Sequence, residues 1–94
     1  MSYLMARVNF KDYAQWRPVF DEVDPIRRSY GITVERVFRR SDDPHRVVIL
    51  YRAEDPEKRL QWFESAELRA AAERAGIIGR PETELLDDIT SVKK

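Results

Sequence analysis

One stretch of sequence decides the fold, the segment 46–53, which runs Arg-Val-Val-Ile-Leu-Tyr-Arg-Ala. Its central residues are apolar, mostly β-branched or aromatic, and Asp and Pro residues that favour turns lie on both sides of it. The segment is too short for a typical helix, so the pattern predicts a strand. Because side chains alternate across a strand, two apolar sets emerge on opposite faces: Val47, Ile49 and Tyr51 on one, Val48 and Leu50 on the other. Both faces need burial, which places this strand inside a sheet.

A strand and a long helix precede this segment. Residues 3–10 alternate between apolar and mixed side chains, which predicts a first strand. Apolar residues at helical spacing predict a helix over 12–29, beginning at the N-cap residue Asp12. Pro18 and Pro25 lie inside it, and each removes an amide donor and crowds the preceding turn, so we expect a kink or a break.

A second strand over 32–40 and a turn over 41–45 come next. Arg36 interrupts the alternation of this strand, which a β-bulge near Glu35 would explain. The turn contains Asp42, Asp43 and Pro44, residue types that favour a hairpin into the central strand.

A second helical region and a last strand follow the central strand. Asp55 as N-cap with Pro56 behind it predicts a short helix. Ser65 restarts the helix, which presents a narrow alanine stripe and ends at Gly76. Residues 83–89 are predicted to form the fourth strand.

The order strand, helix, strand, strand, helix, strand predicts one α+β domain over residues 1–94, with the ferredoxin-like βαββαβ arrangement and an antiparallel sheet in the order 4-1-3-2. Right-handed crossovers place both helical regions on one side of the sheet. The other face of the central strand would then be exposed to water, although it carries apolar side chains. We therefore expect a homodimer through the open sheet face; a monomer that tolerates one apolar patch is the alternative.

The composition limits the classes of partner. The 94 residues include 17 basic and 17 acidic side chains, interspersed along the chain, which argues against nucleic acid as a partner. The absence of cysteine excludes disulfides and thiolate nucleophiles and favours a cytoplasmic location. No apolar run approaches the roughly 18 residues of a membrane span, so no membrane is expected. Lys93 and Lys94 are predicted to form a frayed tail.

Three stretches carry a resemblance to a known family: 12–22 (DYAQWRPVFDE), 37–48 (VFRRSDDPHRVV) and 62–69 (WFESAELR). They resemble small antibiotic-biosynthesis-monooxygenase-like proteins of the dimeric α/β-barrel superfamily, and the resemblance spans nearly the whole chain. It implies a ferredoxin-like subunit whose sheet meets that of its partner to form a barrel, with a ligand pocket between sheet and helices. Members include cofactor-free oxygenases of aromatic polyketides, haem-degrading oxygenases, muconolactone isomerases, cyclases and stress proteins without known activity.

The haem-degrading members can be compared residue by residue. Trp62 and Ser65 match the tryptophan and serine of their helix, but the position of their iron-ligating histidine falls on Ala72. Their first strand presents an asparagine to the pocket, whereas strand alternation here gives that place to Val8 and puts Asn9 on the other face. The comparison therefore argues against haem, and we expect neither a cofactor nor a metal ion.

The aromatic residues suggest a binding site between helices and sheet. Flat apolar walls suit a planar aromatic or lactone ligand, and five residues are predicted to form them: Tyr13, Trp16, Phe20, Trp62 and Phe63. The same residues could instead be hydrophobic core. No acid or base stands out, and the polar candidates for a catalytic role are Tyr13, Arg17, His45, Asn9, Arg36 and Tyr51.

The sequence thus predicts a dimeric α/β-barrel protein that binds a small hydrophobic or aromatic molecule. A cofactor-independent monooxygenase, or an isomerase or cyclase, would fit the resemblance. The alternative is a non-catalytic ligand-binding or stress-associated dimer.

Overall fold

Four strands form one antiparallel sheet in the computed structural model, which describes residues 2–90. The strands are β1 (Ser2–Phe10), β2 (Ile32–Arg40), β3 (Asp43–Ala53) and β4 (Ile77–Leu86), in the order β2-β3-β1-β4. This is the predicted order, read from the opposite edge. The ferredoxin-like α+β fold is confirmed, with β3 and β1 in the middle of the sheet.

Four helices connect these strands: α1 (Tyr13–Glu22), α2 (Asp24–Ser29), α3 (Pro56–Phe63) and α4 (Ala66–Arg74). The predicted N-caps are confirmed, since the side chains of Asp12, Asp55 and Ser65 each accept a hydrogen bond from a backbone amide in the first turn. The predicted long helix is broken between α1 and α2, with Pro25 in the first turn of α2. None of the helices in residues 2–90 is both long and apolar enough to cross a membrane.

Two predicted boundaries are wrong. The turn over 41–45 is limited to residues 41 and 42, because β3 extends back to Asp43 and pairs with the end of β2. The fourth strand covers Ile77–Leu86 rather than 83–89. Its alternation is obscured by Gly79, which has a φ of 72°, near the point where its register with β1 shifts. The predicted tail at Lys93 and Lys94 lies outside the described residues.

The sheet has a covered face, which packs against all four helices, and an open face. The predicted bulge is confirmed by a register shift between Val34 and Arg36. The covered face carries the core side chains, which include Leu4, Ala6, Val8, Phe10, Ile32, Val47, Ile49, Tyr51 and Ala53. The open face carries half-buried or exposed apolar side chains, which include Tyr3, Met5, Phe38, Val48, Leu50 and Leu86. Of the two apolar sets of β3, the set with Val48 and Leu50 is therefore the one without a helix layer.

Candidate functional site

A small cavity of about 60 Å³ lies between the covered face and the helices. Four aromatic side chains form much of its wall: Trp16, Phe20, Tyr51 and Trp62. On the α4 side the wall includes Leu68 and the small side chains of Ala71, Ala72 and Ala75. Small side chains let a helix approach a sheet closely, and they leave space that larger side chains would fill.

Stacked aromatic rings hold the α1 side of the cavity in place. The ring of Trp16 stacks on Phe10 with a centroid distance of 5.1 Å and on Phe20 with 4.6 Å. Offset stacking of this kind adds about 0.5–1.5 kcal/mol per pair beyond area burial. These stacked pairs therefore stabilise the position of Trp16 in the cavity wall.

Arg27 of α2 contributes a positive charge to the cavity wall. It is the only polar or charged residue that is buried within residues 2–90, with 3% of its surface exposed. Its Nη2 donates to the carbonyl oxygen of Phe20 at 2.8 Å and to Asp24 Oδ1 at 3.2 Å, and its guanidinium carbon lies 4.2 Å from the Phe20 ring centroid. Its Nε is buried and has no hydrogen-bond partner in the part of the chain that the structure describes. A buried donor without a partner is uncommon, since it costs about 1–3 kcal/mol.

Tyr51 of β3 supplies the phenol of the cavity wall. Burial raises its pKa to about 12, although the charge of Arg27 acts in the opposite direction. At neutral pH Tyr51 is therefore protonated and can donate a hydrogen bond, but it is not a base. Its ring contacts Phe63 edge-on, with a centroid distance of 6.0 Å.

Three of the predicted site residues lie near the cavity without lining it. Tyr13 is 36% exposed and packs beside Phe10 and Trp16, and its hydroxyl accepts a hydrogen bond from Arg17 Nη1 at 3.3 Å. Arg17 also pairs with Asp21 along the surface of α1. Phe63 contacts the ring of Tyr51 but does not line the cavity.

Three polar candidates lie away from the cavity. Asn9 is exposed on the open face, while Val8 lines the cavity, as strand alternation predicted. Arg36 is also on the open face, opposite Leu50. His45 is exposed at the start of β3. The structure therefore divides the six polar candidates among different surfaces and brings only Tyr51 to the cavity.

Arg27 is the site residue that the sequence analysis missed. The signal was present: Phe20, Val23 and Arg27 follow one another at spacings of three and four, so Arg27 lies on the apolar stripe of the predicted helix. Arginine in such a position is usually assigned to a solvated face, and only the burial of its guanidinium shows otherwise.

The cavity does not fit a haem. Ala72, at the position of the iron-ligating histidine in the haem-degrading members, lines the cavity and offers no ligand atom. A volume of about 60 Å³ is also far too small for a macrocycle. Across residues 2–90, no three His, Cys, Asp or Glu side chains are grouped so that they could hold a metal ion.

Comparison with known proteins supports the fold. Neither family models nor curated protein sequences give a match. Among solved structures, the chain is similar to a protein from Bordetella bronchiseptica assigned as an antibiotic biosynthesis monooxygenase, with a TM-score of 0.76, 14% identity, and 93% of this chain and 95% of that chain covered. A Caulobacter crescentus protein with the same assignment gives a TM-score of 0.74 at 16% identity, with 93% of this chain and 88% of that chain covered. An uncharacterised NIPSNAP domain protein from Burkholderia xenovorans gives a TM-score of 0.66 at 10% identity, with 94% of each chain covered. The chain thus shares its fold with these structures, two of which carry the assignment that its sequence resemblance predicted.

Proposed function

We propose that this chain is a homodimeric, cytoplasmic α/β-barrel protein of one domain that binds a small hydrophobic or aromatic molecule between sheet and helices. The cavity carries this proposal, because both tryptophans of the chain lie in its wall together with Phe20 and Tyr51. Aromatic walls with few polar groups are typical of ligand sites.

The volume of the cavity limits what it can hold. A dry protein cavity of about 150 Å³ binds benzene, whereas this one measures about 60 Å³. Without rearrangement, the cavity therefore takes one end of a planar or lactone ligand. A whole ring requires movement of α4, whose alanines make only small contacts on this side.

The open face supports the homodimer. Leu50, half-buried, lies in the middle of the sheet beside Met5, and Phe38 is 54% exposed. Burying such side chains is worth roughly 1.5–3 kcal/mol each. Pairing two open faces about a two-fold axis would bury them on both subunits and would form the barrel that the resemblance implies.

Catalysis would take the form of a cofactor-independent oxygenation or an isomerisation or cyclisation. Arg27 can stabilise negative charge that develops on a bound enol or phenol, and the Tyr51 hydroxyl can donate to it. Arg27 and Tyr51 are the ionisable groups in the cavity wall within residues 2–90, and neither is a base at neutral pH. This observation favours the second candidate, a non-catalytic ligand-binding dimer, for any substrate that needs a protein base.

Tryptophan fluorescence tests the binding proposal. Because the chain has only Trp16 and Trp62 and both line the cavity, a ligand there changes the emission of one or both. Quinols, flavonoids and lactones should give saturable changes, and Trp16→Phe and Trp62→Phe assign the change to either wall. An unchanged spectrum with every compound would contradict a ligand cavity.

Oxygen consumption then separates the two candidate functions. A catalytic protein consumes oxygen with a bound quinol faster than the quinol alone, without added cofactor. A compound that saturates the fluorescence change and is recovered unaltered supports the non-catalytic dimer.

A further inference from the structure

The unpaired Nε of Arg27 is the feature that the fold does not explain. A guanidinium has five N–H donors, and burying it without full pairing is costly. Here Nη2 is bonded to Phe20 and Asp24, but Nε is buried and has no partner among residues 2–90. Arg27 is also one of the residues that line the cavity, which puts an incompletely paired cation beside a mostly apolar space.

The charge of Arg27 is also only partly compensated. Asp24 Oδ1 is 3.2 Å from Arg27 Nη2, while Asp24 Oδ2 is 2.8 Å from Arg28 Nε. One carboxylate therefore serves two guanidinium groups. Tyr51, the other ionisable group of the cavity wall in the described chain, is neutral at physiological pH, so it adds no negative charge.

We propose that the cavity selects an organic anion, whose carboxylate or enolate oxygen accepts a hydrogen bond from the Arg27 guanidinium group while its apolar part contacts Trp16, Phe20 and Trp62. This inference rests on the proposed ligand cavity and adds the charge of the ligand. A charge-assisted hydrogen bond of this kind is stronger than a neutral one. It would balance the positive charge that Asp24 compensates only in part.

Matched probes with and without charge test this selectivity. Benzoate is compared with benzamide and propionate with propionamide, because each pair has nearly the same shape. Propionate and propionamide, the smaller pair, suit the cavity volume of about 60 Å³. Binding is followed by tryptophan fluorescence at constant ionic strength. In the wild-type protein we expect at least one acid to bind about tenfold or more tightly than its amide.

Arg27→Met and Arg28→Met are the matched variants. Both remove a partner of Asp24, but Arg28 has 65% of its side chain exposed and does not line the cavity. Arg28 still pairs with Asp24 in Arg27→Met, so Asp24 keeps a partner. The preference for the acid should fall to within about twofold in Arg27→Met and should persist in Arg28→Met.

The results distinguish this inference from the proposed function. Acid and amide binding equally to the wild-type protein would overturn the anion selectivity and leave the ligand cavity intact. A preference that survives in Arg27→Met would also overturn it. Binding of neither the probes nor the neutral quinols and lactones would overturn both proposals.

A spectroscopic measurement tests the contact without relying on the variant's folding. The ¹H–¹⁵N resonance of Arg27 Nε in the wild-type protein should shift on addition of benzoate or propionate and stay unchanged with the amides. An Nε resonance that the acids leave unmoved would contradict the proposed hydrogen bond, whatever the fluorescence shows.

Discussion

The two faces of the sheet differ in what covers them, although β3 carries apolar side chains on both. On the covered face, Val47 and Ile49 are 1% exposed and are packed under helices. On the open face, Val48 and Leu50 are only half-buried, and Phe38 beside them is 54% exposed. Apolar sequence alone therefore does not say what covers a strand. One face has a helix layer with a cavity in it, and we infer that the other is completed by a second copy of the chain.

The largest effect is expected from a charge placed on either face of β3. Ile49→Lys puts an unpaired ammonium group into the core and should cost more than about 4 kcal/mol, so the chain should not fold. Leu50→Lys, one residue further on, should give a folded monomer. Circular dichroism and sedimentation measure folding and mass. A wild-type melting curve for Ile49→Lys, or an unfolded Leu50→Lys, would contradict the difference between the two faces.

Truncating a large aromatic residue on each side should give a smaller difference. Trp62 is 1% exposed under the helices, so Trp62→Ala should lower the free energy of unfolding by about 3–5 kcal/mol. Phe38→Ala on the open face should cost a monomer less than about 1 kcal/mol, since most of that ring is exposed. Urea titration of both variants in the Leu50→Lys background isolates the monomer. Equal losses would show that the faces do not differ as described.

Alkaline pH should reveal the buried phenol of the covered face. Because the pKa of Tyr51 is raised from 10.0 to about 12 in the folded protein, its stabilising contribution is complete below pH 10 and is lost as the pH rises to 12. The loss is about 1.4 kcal/mol per pH unit. Tyr51→Phe should lack this loss. Between pH 10 and 12, the difference in free energy of unfolding between Tyr51→Phe and the wild type should therefore change by about 2–3 kcal/mol in favour of the variant. Parallel pH profiles would contradict the burial of the hydroxyl.

The smallest effect on stability is expected at the start of α4, in the helix layer over the covered face. Ser65 Oγ accepts from the amide of Leu68 at 3.1 Å and begins α4, so Ser65→Ala should cost about 1 kcal/mol. Ser29→Ala is the control, because its hydroxyl only donates to the carbonyl oxygen of Ile26 in the last turn of α2. Thermal unfolding of both variants should show the larger loss for Ser65→Ala; the reverse order would show that the cap is not what begins α4.

Local patterns accounted for most of the fold. Alternation in β1 and β3, the caps at Asp12, Asp55 and Ser65, and the bulge near Glu35 all depend on residues close together in the chain. The start of β4 could not be predicted in the same way, because pairing with β1 defines it and Gly79 disturbs its alternation.

The assignment of faces and the cavity depend on tertiary packing. Both apolar sets of β3 were candidates for the helix side, and the register that pairs Ala6 with Ile49 and Val8 with Val47 decides between them. Arg27 was missed because an arginine on a helix usually faces solvent, and its burial beside the cavity is visible only in the packed structure. The volume beside it depends on how closely the alanines of α4 approach, which no spacing specifies.

Native mass spectrometry of the wild-type protein at micromolar concentration tests the central claim that the two faces have different partners. We expect a dimer of about 22 kDa, twice the 11.1 kDa of the chain. A monomer of 11.1 kDa would contradict it, since the open face would then be exposed to water without a partner.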